Sequence, residues 1–118
     1  MTPCKKGSFA AAVLAAALLL PTDTLHAAGD VEAGKQKAQV CQACHGVDGN
    51  GIGDGQYPLI AGQYADYLVF ALKSYKIGTR QNAIMSGFVA NLSDQDMEDL
   101  AAYFAEQPGK LQDLSHLD

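Results

Sequence analysis

The sequence predicts an all-α domain of about four short helices. Three observations carry this. Apolar side chains recur at three- and four-residue spacing over 68–75 and again over 97–104, the repeat of one helix face. Residues that cap helices stand ahead of helical stretches at Asp30, Asn82 and Ser93. No stretch alternates as a strand does, and no internal repeat or second-domain pattern is present.

Residues 1–27 read as an export signal. Lys5 and Lys6 form a basic start, residues 9–20 are uninterruptedly apolar or small, and 21–28 form a polar, small-residue exit. The apolar run has 12 residues, short of the roughly 20 that span a bilayer. Cleavage is expected after Ala27 or Ala28, which would discard Cys4 and His26. The chain then divides into a signal at 1–27, one domain at 28–108 and a tail at 109–118, with no stable membrane insertion after cleavage. Without Lys5, Lys6 and Asp23, six basic and twelve acidic side chains remain, a formal charge of −6. Such a surface disfavours nucleic acid and anionic lipid, and suits partners with a basic docking face.

The first helix is expected to start after Asp30 and run into residues 41–45, Cys-Gln-Ala-Cys-His. Gly34 inside it lowers helix stability by about 1 kcal/mol relative to Ala. That invites a packing reason, with simple tolerance at an exposed position as the alternative. C-x-x-C-H is the attachment pattern of a c-type haem. Cys41, Cys44 and His45 share one face of a helical turn, so two thiols can hold a porphyrin while the imidazole binds its iron. Two other readings stand beside it. Structural zinc would need a fourth ligand, with only His26 and His116 left to supply one. A thiol–disulfide pair would normally adjoin a βαβ pattern, which is missing.

Residues 46–55 form a glycine-rich loop able to lie close to a flat ligand. It is not a calcium loop, because Ile52 and Leu59 fall where oxygen ligands are needed, nor a phosphate loop, because no Gly-Lys-Ser/Thr closes it. Residues 57–62 are apolar and extended through Pro58. Residues 63–76 read as a helix with Tyr64, Ala65, Leu68, Ala71, Leu72 and Tyr75 on its buried stripe, ended by Gly78. Asn82 caps a short turn through 83–85. Ser93 and Asp96 form a capping box for the last helix, which Pro108 and Gly109 stop. Leu111, Leu114 and Leu117 mark the tail.

An iron held by His45 has a second axial position, for which Met85, Met97 and His116 are the candidates. A thioether there favours the ferrous state. Met97 lies in a helical apolar stripe and reads as core; His116 lies in the tail. Met85 lies between helical segments in a stretch able to fold over a ring, with core filling as its alternative.

The chain resembles a class I c-type cytochrome, the small bacterial mono-haem type or one half of the related di-haem type. The resemblance covers 29–107 and rests on Gly29, Asp30 and Gly34, residues 41–46, Pro58, Leu59, Gly62 and Gln63, residues 78–80, Met85, and the stretches 92–94 and 100–103. It implies a class I cytochrome c fold wrapped around one covalently attached haem. It implies His45 as proximal ligand and Met85 as distal ligand. It implies that the Pro58 carbonyl accepts from the His45 imidazole, that Arg80 lies near a haem propionate, and that Gly34 meets an aromatic of the last helix. The chain departs from the family pattern in having no tryptophan; Tyr57 or Tyr75 would have to replace any Trp contact to a propionate. It has only one C-x-x-C-H.

The expected function is therefore electron carriage in the periplasm rather than enzymology, since no catalytic constellation is present. Partners would be a membrane cytochrome complex, an oxidase, a reductase or a dehydrogenase, meeting a haem edge ringed by residues 46–52 and Phe88. The alternatives are a haem subunit fixed within a periplasmic dehydrogenase, and a sensor with an open sixth site.

Overall fold

A computed structural model describes residues 28–110. The expected signal segment with Cys4 and His26, and the tail from Leu111 with His116, lie outside the described residues. The described residues form five helices, α1 (Val31–Lys37), α2 (Gln39–His45), α3 (Ala65–Ile77), α4 (Ala83–Val89) and α5 (Asp94–Glu106), with a 3-10 turn at Val47–Gly49. Among the described residues there is no strand.

The first predicted helix is two. Ala38 has ψ −15°, well short of the usual helical value, and interrupts the turn. The hydrogen-bond ladder restarts there: the Ala38 amide donates to Gly34 and its carbonyl accepts from Cys41 and Gln42. Ala38 is fully buried, so the break sits in the core and re-aims the turn that carries the two cysteines. The next helix begins later than periodicity indicated. Tyr64 caps α3 in an extended conformation (ψ 131°) and is 62% exposed, so it leaves the predicted buried stripe, as does Ala65. The turn at 83–85 is a full seven-residue helix, with Asn82 accepting from the Ile84 and Met85 amides.

The core is built where α5 packs on α1 and α3, around Ala38, Leu68, Leu100, Ala101, Tyr103 and Phe104. The crossing of α1 with α5 explains Gly34. A Cβ at that position would lie 2.0 Å from the Asp99 carbonyl oxygen and 2.8 Å from the Tyr103 Cβ. Gly34 is therefore where the two backbones touch, and the exposed-position reading does not apply.

The same crossing holds a polar lock. Asp99, 3% exposed, accepts from the Asp30 amide and the Gln95 amide group at 2.8 Å each, and from the Lys37 ammonium. Lys37 also meets Asp96 at 2.8 Å. Burial pushes the Asp99 carboxyl up, but Lys37 and the two amides reverse this and leave it below the usual range. Lys37 and Ser93 hold Asp96 well below that range, and the two carboxylates raise Lys37. Depressed acids contribute stability above their unfolded pKa of about 4, lost as pH falls through the folded values. The raised lysine contributes below its unfolded pKa of about 10.4 and loses this as pH rises past it. Lys37→Met is expected to destabilise by about 2–3 kcal/mol at pH 7, less than a fully buried pair because Lys37 is partly exposed. The difference from wild type should shrink towards pH 3, as the stranded Asp99 takes up a proton. Denaturant melts across pH would check this; a pH-independent difference would remove the ion pair from the account.

A candidate haem site

α2 ends at Gly46, whose φ of +80° and ψ of 167° turn the chain sharply back. A Cβ there would lie 2.2 Å from the Gly51 carbonyl oxygen. The loop can thus fold under the histidine: the Gly51 amide donates to the His45 carbonyl at 2.6 Å. Asp48 (φ +57°) is the one non-glycine residue with positive φ among the described residues. The Gly49 carbonyl accepts the amides of Ile60 and Ala61, at 2.9 and 3.1 Å, and so binds the extended segment beside Pro58 to the turn. The buried His45 ring donates its Nδ1–H to the Pro58 carbonyl at 2.8 Å. A carbonyl only accepts, so this contact assigns the proton to Nδ1 and leaves the Nε2 lone pair for a metal.

All six predicted site residues border one cavity of about 420 Å³: Cys41, Cys44, His45, Pro58, Arg80 and Met85. Cys41 and Cys44 are free thiols. Cys41 packs against the core, and burial pushes its thiol pKa up. Met85 is half-buried on α4. Met97 is fully buried in the core, as its periodicity predicted. Tyr57, Tyr75 and Phe88 also border the cavity, whereas exposed Val47 and Ile52 do not.

Among the described residues, Arg80 is the only lysine, arginine or carboxylate side chain in the lining. Its backbone amide donates to the Ser74 carbonyl at the end of α3, where Gly78 (φ +81°) reverses the chain. Its guanidinium lies 4.9 Å over the Tyr75 ring and donates to the Tyr67 hydroxyl at 3.4 Å, a bond that raises its pKa further. Tyr67 is the residue that sequence reasoning missed. The signal was there: Tyr67, Ala71 and Tyr75 recur every four residues on one face of α3, and all three line the cavity.

The lining fits a haem. Its walls are mainly aliphatic and aromatic, two thiols and an imidazole lone pair come from one turn, a thioether comes from another helix, and a single cation stands where acidic edges would be met. Zinc does not fit: among the described residues no group of three or more His, Cys, Asp or Glu side chains could hold a metal ion.

The Cytochrome c family model matches residues 31–107. The chain is 50% identical over 86 residues to cytochrome c4 of Pseudomonas aeruginosa, covering 73% of this chain and 42% of that protein. It is 43% identical over 83 residues to cytochrome c-554(548) of Halomonas halodenitrificans, covering 68% of this chain and 99% of that one. The crystal structure of reduced recombinant cytochrome c4 from Pseudomonas stutzeri superposes with a TM-score of 0.66 at 45% identity, over 71% of this chain and 48% of that chain. The chain thus spans under half the length of the cytochrome c4 relatives it matches, in keeping with one half of the di-haem type, and nearly all of the shorter one. With the matched family model and the matched fold, this chain belongs to the cytochrome c family, class I, which implies covalently bound haem c and whose curated relatives named above are electron-carrying cytochromes.

Proposed function

We propose that this chain is a periplasmic mono-haem electron carrier, attached to haem through Cys41 and Cys44, with His45 and Met85 as axial ligands. The observation that carries this reading is one largely apolar cavity bordered together by the C-x-x-C-H turn, the Met85 thioether and the Arg80 guanidinium. Haem c, when bound, supplies the Fe(III)/Fe(II) couple. His45 presents Nε2, while the Pro58 carbonyl fixes its ring and raises its basicity. Met85 offers a soft sulfur that favours the reduced state. Arg80, held by Tyr75 and Tyr67, would pair with a haem propionate. The apolar walls limit water access and so keep solvent rearrangement small as charge changes. The single motif supports one haem per chain, and the signal expected in residues 1–27 supports export. Among the described residues no helix is long and apolar enough to cross a membrane. Partners are redox proteins, membrane complexes or dehydrogenases, met through weak contacts burying under about 1,200 Å².

The test is a visible spectrum, ferric and then ferrous, with a haem assay, on chain matured in a periplasm. One haem per chain, a low-spin c-type spectrum and a far-red Met-to-iron band are expected. A c-type spectrum lacking that band would reject the Met85 assignment, and absence of haem would reject the whole reading.

A further inference from the structure

We propose that Tyr103 is a positioning residue for the His45 imidazole, acting through Asp48, the Val47–Gly49 turn and the Pro58 carbonyl. The inference rests on the reading of His45 as an axial ligand. Tyr103 sits on α5, 3% exposed, its ring edge-on to Phe104 at 5.0 Å between centroids. Its hydroxyl does not point into the core. It donates to the Asp48 carboxylate at 2.6 Å and accepts from the Gln42 side chain at 3.3 Å, in the middle of the C-x-x-C-H turn. Asp48 is the residue at positive φ, a conformation uncommon among L residues but one that Asp tolerates, so it can sit in the turn and still reach Tyr103.

The consequence travels along hydrogen bonds. Asp48 holds the turn, and Gly49 at its end accepts the Ile60 and Ala61 amides. Those two residues follow the segment whose Pro58 carbonyl takes the His45 Nδ1–H. Gly49 also lies in close contact with the last helix: a Cβ there would be 3.0 Å from Phe104 and 2.8 Å from Ile60. The segment whose carbonyl orients the imidazole is therefore tied to α5 twice. The Gly62 amide donates to the Phe104 carbonyl at 2.9 Å. The Tyr103 phenol acts through Asp48 and its turn, and this is the tie that bears on the turn under His45. Asp48 raises the Tyr103 pKa to about 12, so the hydroxyl remains a donor through neutral and moderately alkaline pH. Without it, the carboxylate turns to water, the turn loosens and the Nδ1–H bond lengthens. A less basic imidazole stabilises the ferric state less, and the potential rises.

The test uses Tyr103→Phe in the haem-loaded protein, which keeps the ring and removes one oxygen. Two readouts are taken: the reduction potential, and solvent exchange of the His45 Nδ1 proton relative to the Leu68 and Leu72 amides of α3. The expected result is a higher potential with Nδ1–H exchange about tenfold faster than the α3 amides would account for. Asp48→Asn keeps an oxygen acceptor and a residue type tolerant of positive φ, so it should fall between wild type and Tyr103→Phe. An unchanged potential, with Nδ1–H exchange that merely tracks the α3 amides, overturns the inference and leaves Tyr103 a stability residue. A wild-type spectrum without histidine and methionine ligation would instead overturn the reading beneath it.

Discussion

Gly34→Ala is expected to lower the thermal midpoint by about 10–20 °C, on the scale of 4–8 °C per kcal/mol for a domain of this size. Alanine should help any helix interior by about 1 kcal/mol. Here its methyl would lie 2.0 Å from the Asp99 carbonyl oxygen, a backbone atom that no rotamer change can move aside. Either α1 and α5 separate or both bend. Overpacking of this kind costs about 1–3 kcal/mol, and more where backbone meets backbone, so the net loss is about 2–3 kcal/mol. The matched control is Gly87 in α4, where a Cβ would meet nothing within 4 Å. Gly87→Ala should be neutral or stabilising. Equal effects at the two positions in thermal melts would mean that helix propensity, not the crossing, governs Gly34.

Met85→Ala is expected to change the redox behaviour most. On the proposed ligation, removing the thioether takes away the soft ligand that favours the reduced state, and would leave the axial position to water or an added ligand. The potential should fall by on the order of 0.1 V or more, within the roughly 0.8 V range that axial ligands span. The reduced variant should bind carbon monoxide, which wild type should resist. The fold should tolerate the change, because Met85 is only half-buried and lies outside the core built by α1, α3 and α5. A variant with the parent spectrum and potential would send the distal assignment elsewhere.

The six residues expected at the site, all of which border the cavity, were picked out in the sequence in two ways. Cys41, Cys44 and His45 declare themselves by spacing on one turn, and Pro58, Arg80 and Met85 by their order in a family resemblance. The capping box of Ser93 and Asp96 is equally local, and its reciprocal bonds are present. The long-range contacts between polar side chains were not legible. Lys37 meets Asp99 across 62 positions and Tyr103 meets Asp48 across 55. Polar pairs across such distances leave no periodic trace, and each partner alone reads as an ordinary solvated side chain. Gly34 was largely legible: its helix penalty flagged a reason and the family resemblance named an aromatic of the last helix, which is Tyr103, whereas the closer approach of the Asp99 backbone was not foreseen. The break at Ala38 had no signal, since alanine is the residue least expected to interrupt a helix.

The contact of α1 with α5 also bears on when this chain becomes a folded object during its biosynthesis. The first helix finds its partner in the last: the Asp30 amide reaches Asp99, 69 positions on. Closing a loop of that length costs about 4 kcal/mol of chain entropy before any packing is gained. A growing chain that has not yet reached α5 has no surface on which α1 can settle. Through that interval the 41–45 turn belongs to an open polymer and both thiols are accessible. Once the ends meet, Cys41 packs on the core and its thiol becomes harder to ionise. On the proposed attachment, thioether formation at Cys41 and Cys44 is therefore expected to be easier before closure than on the finished cavity.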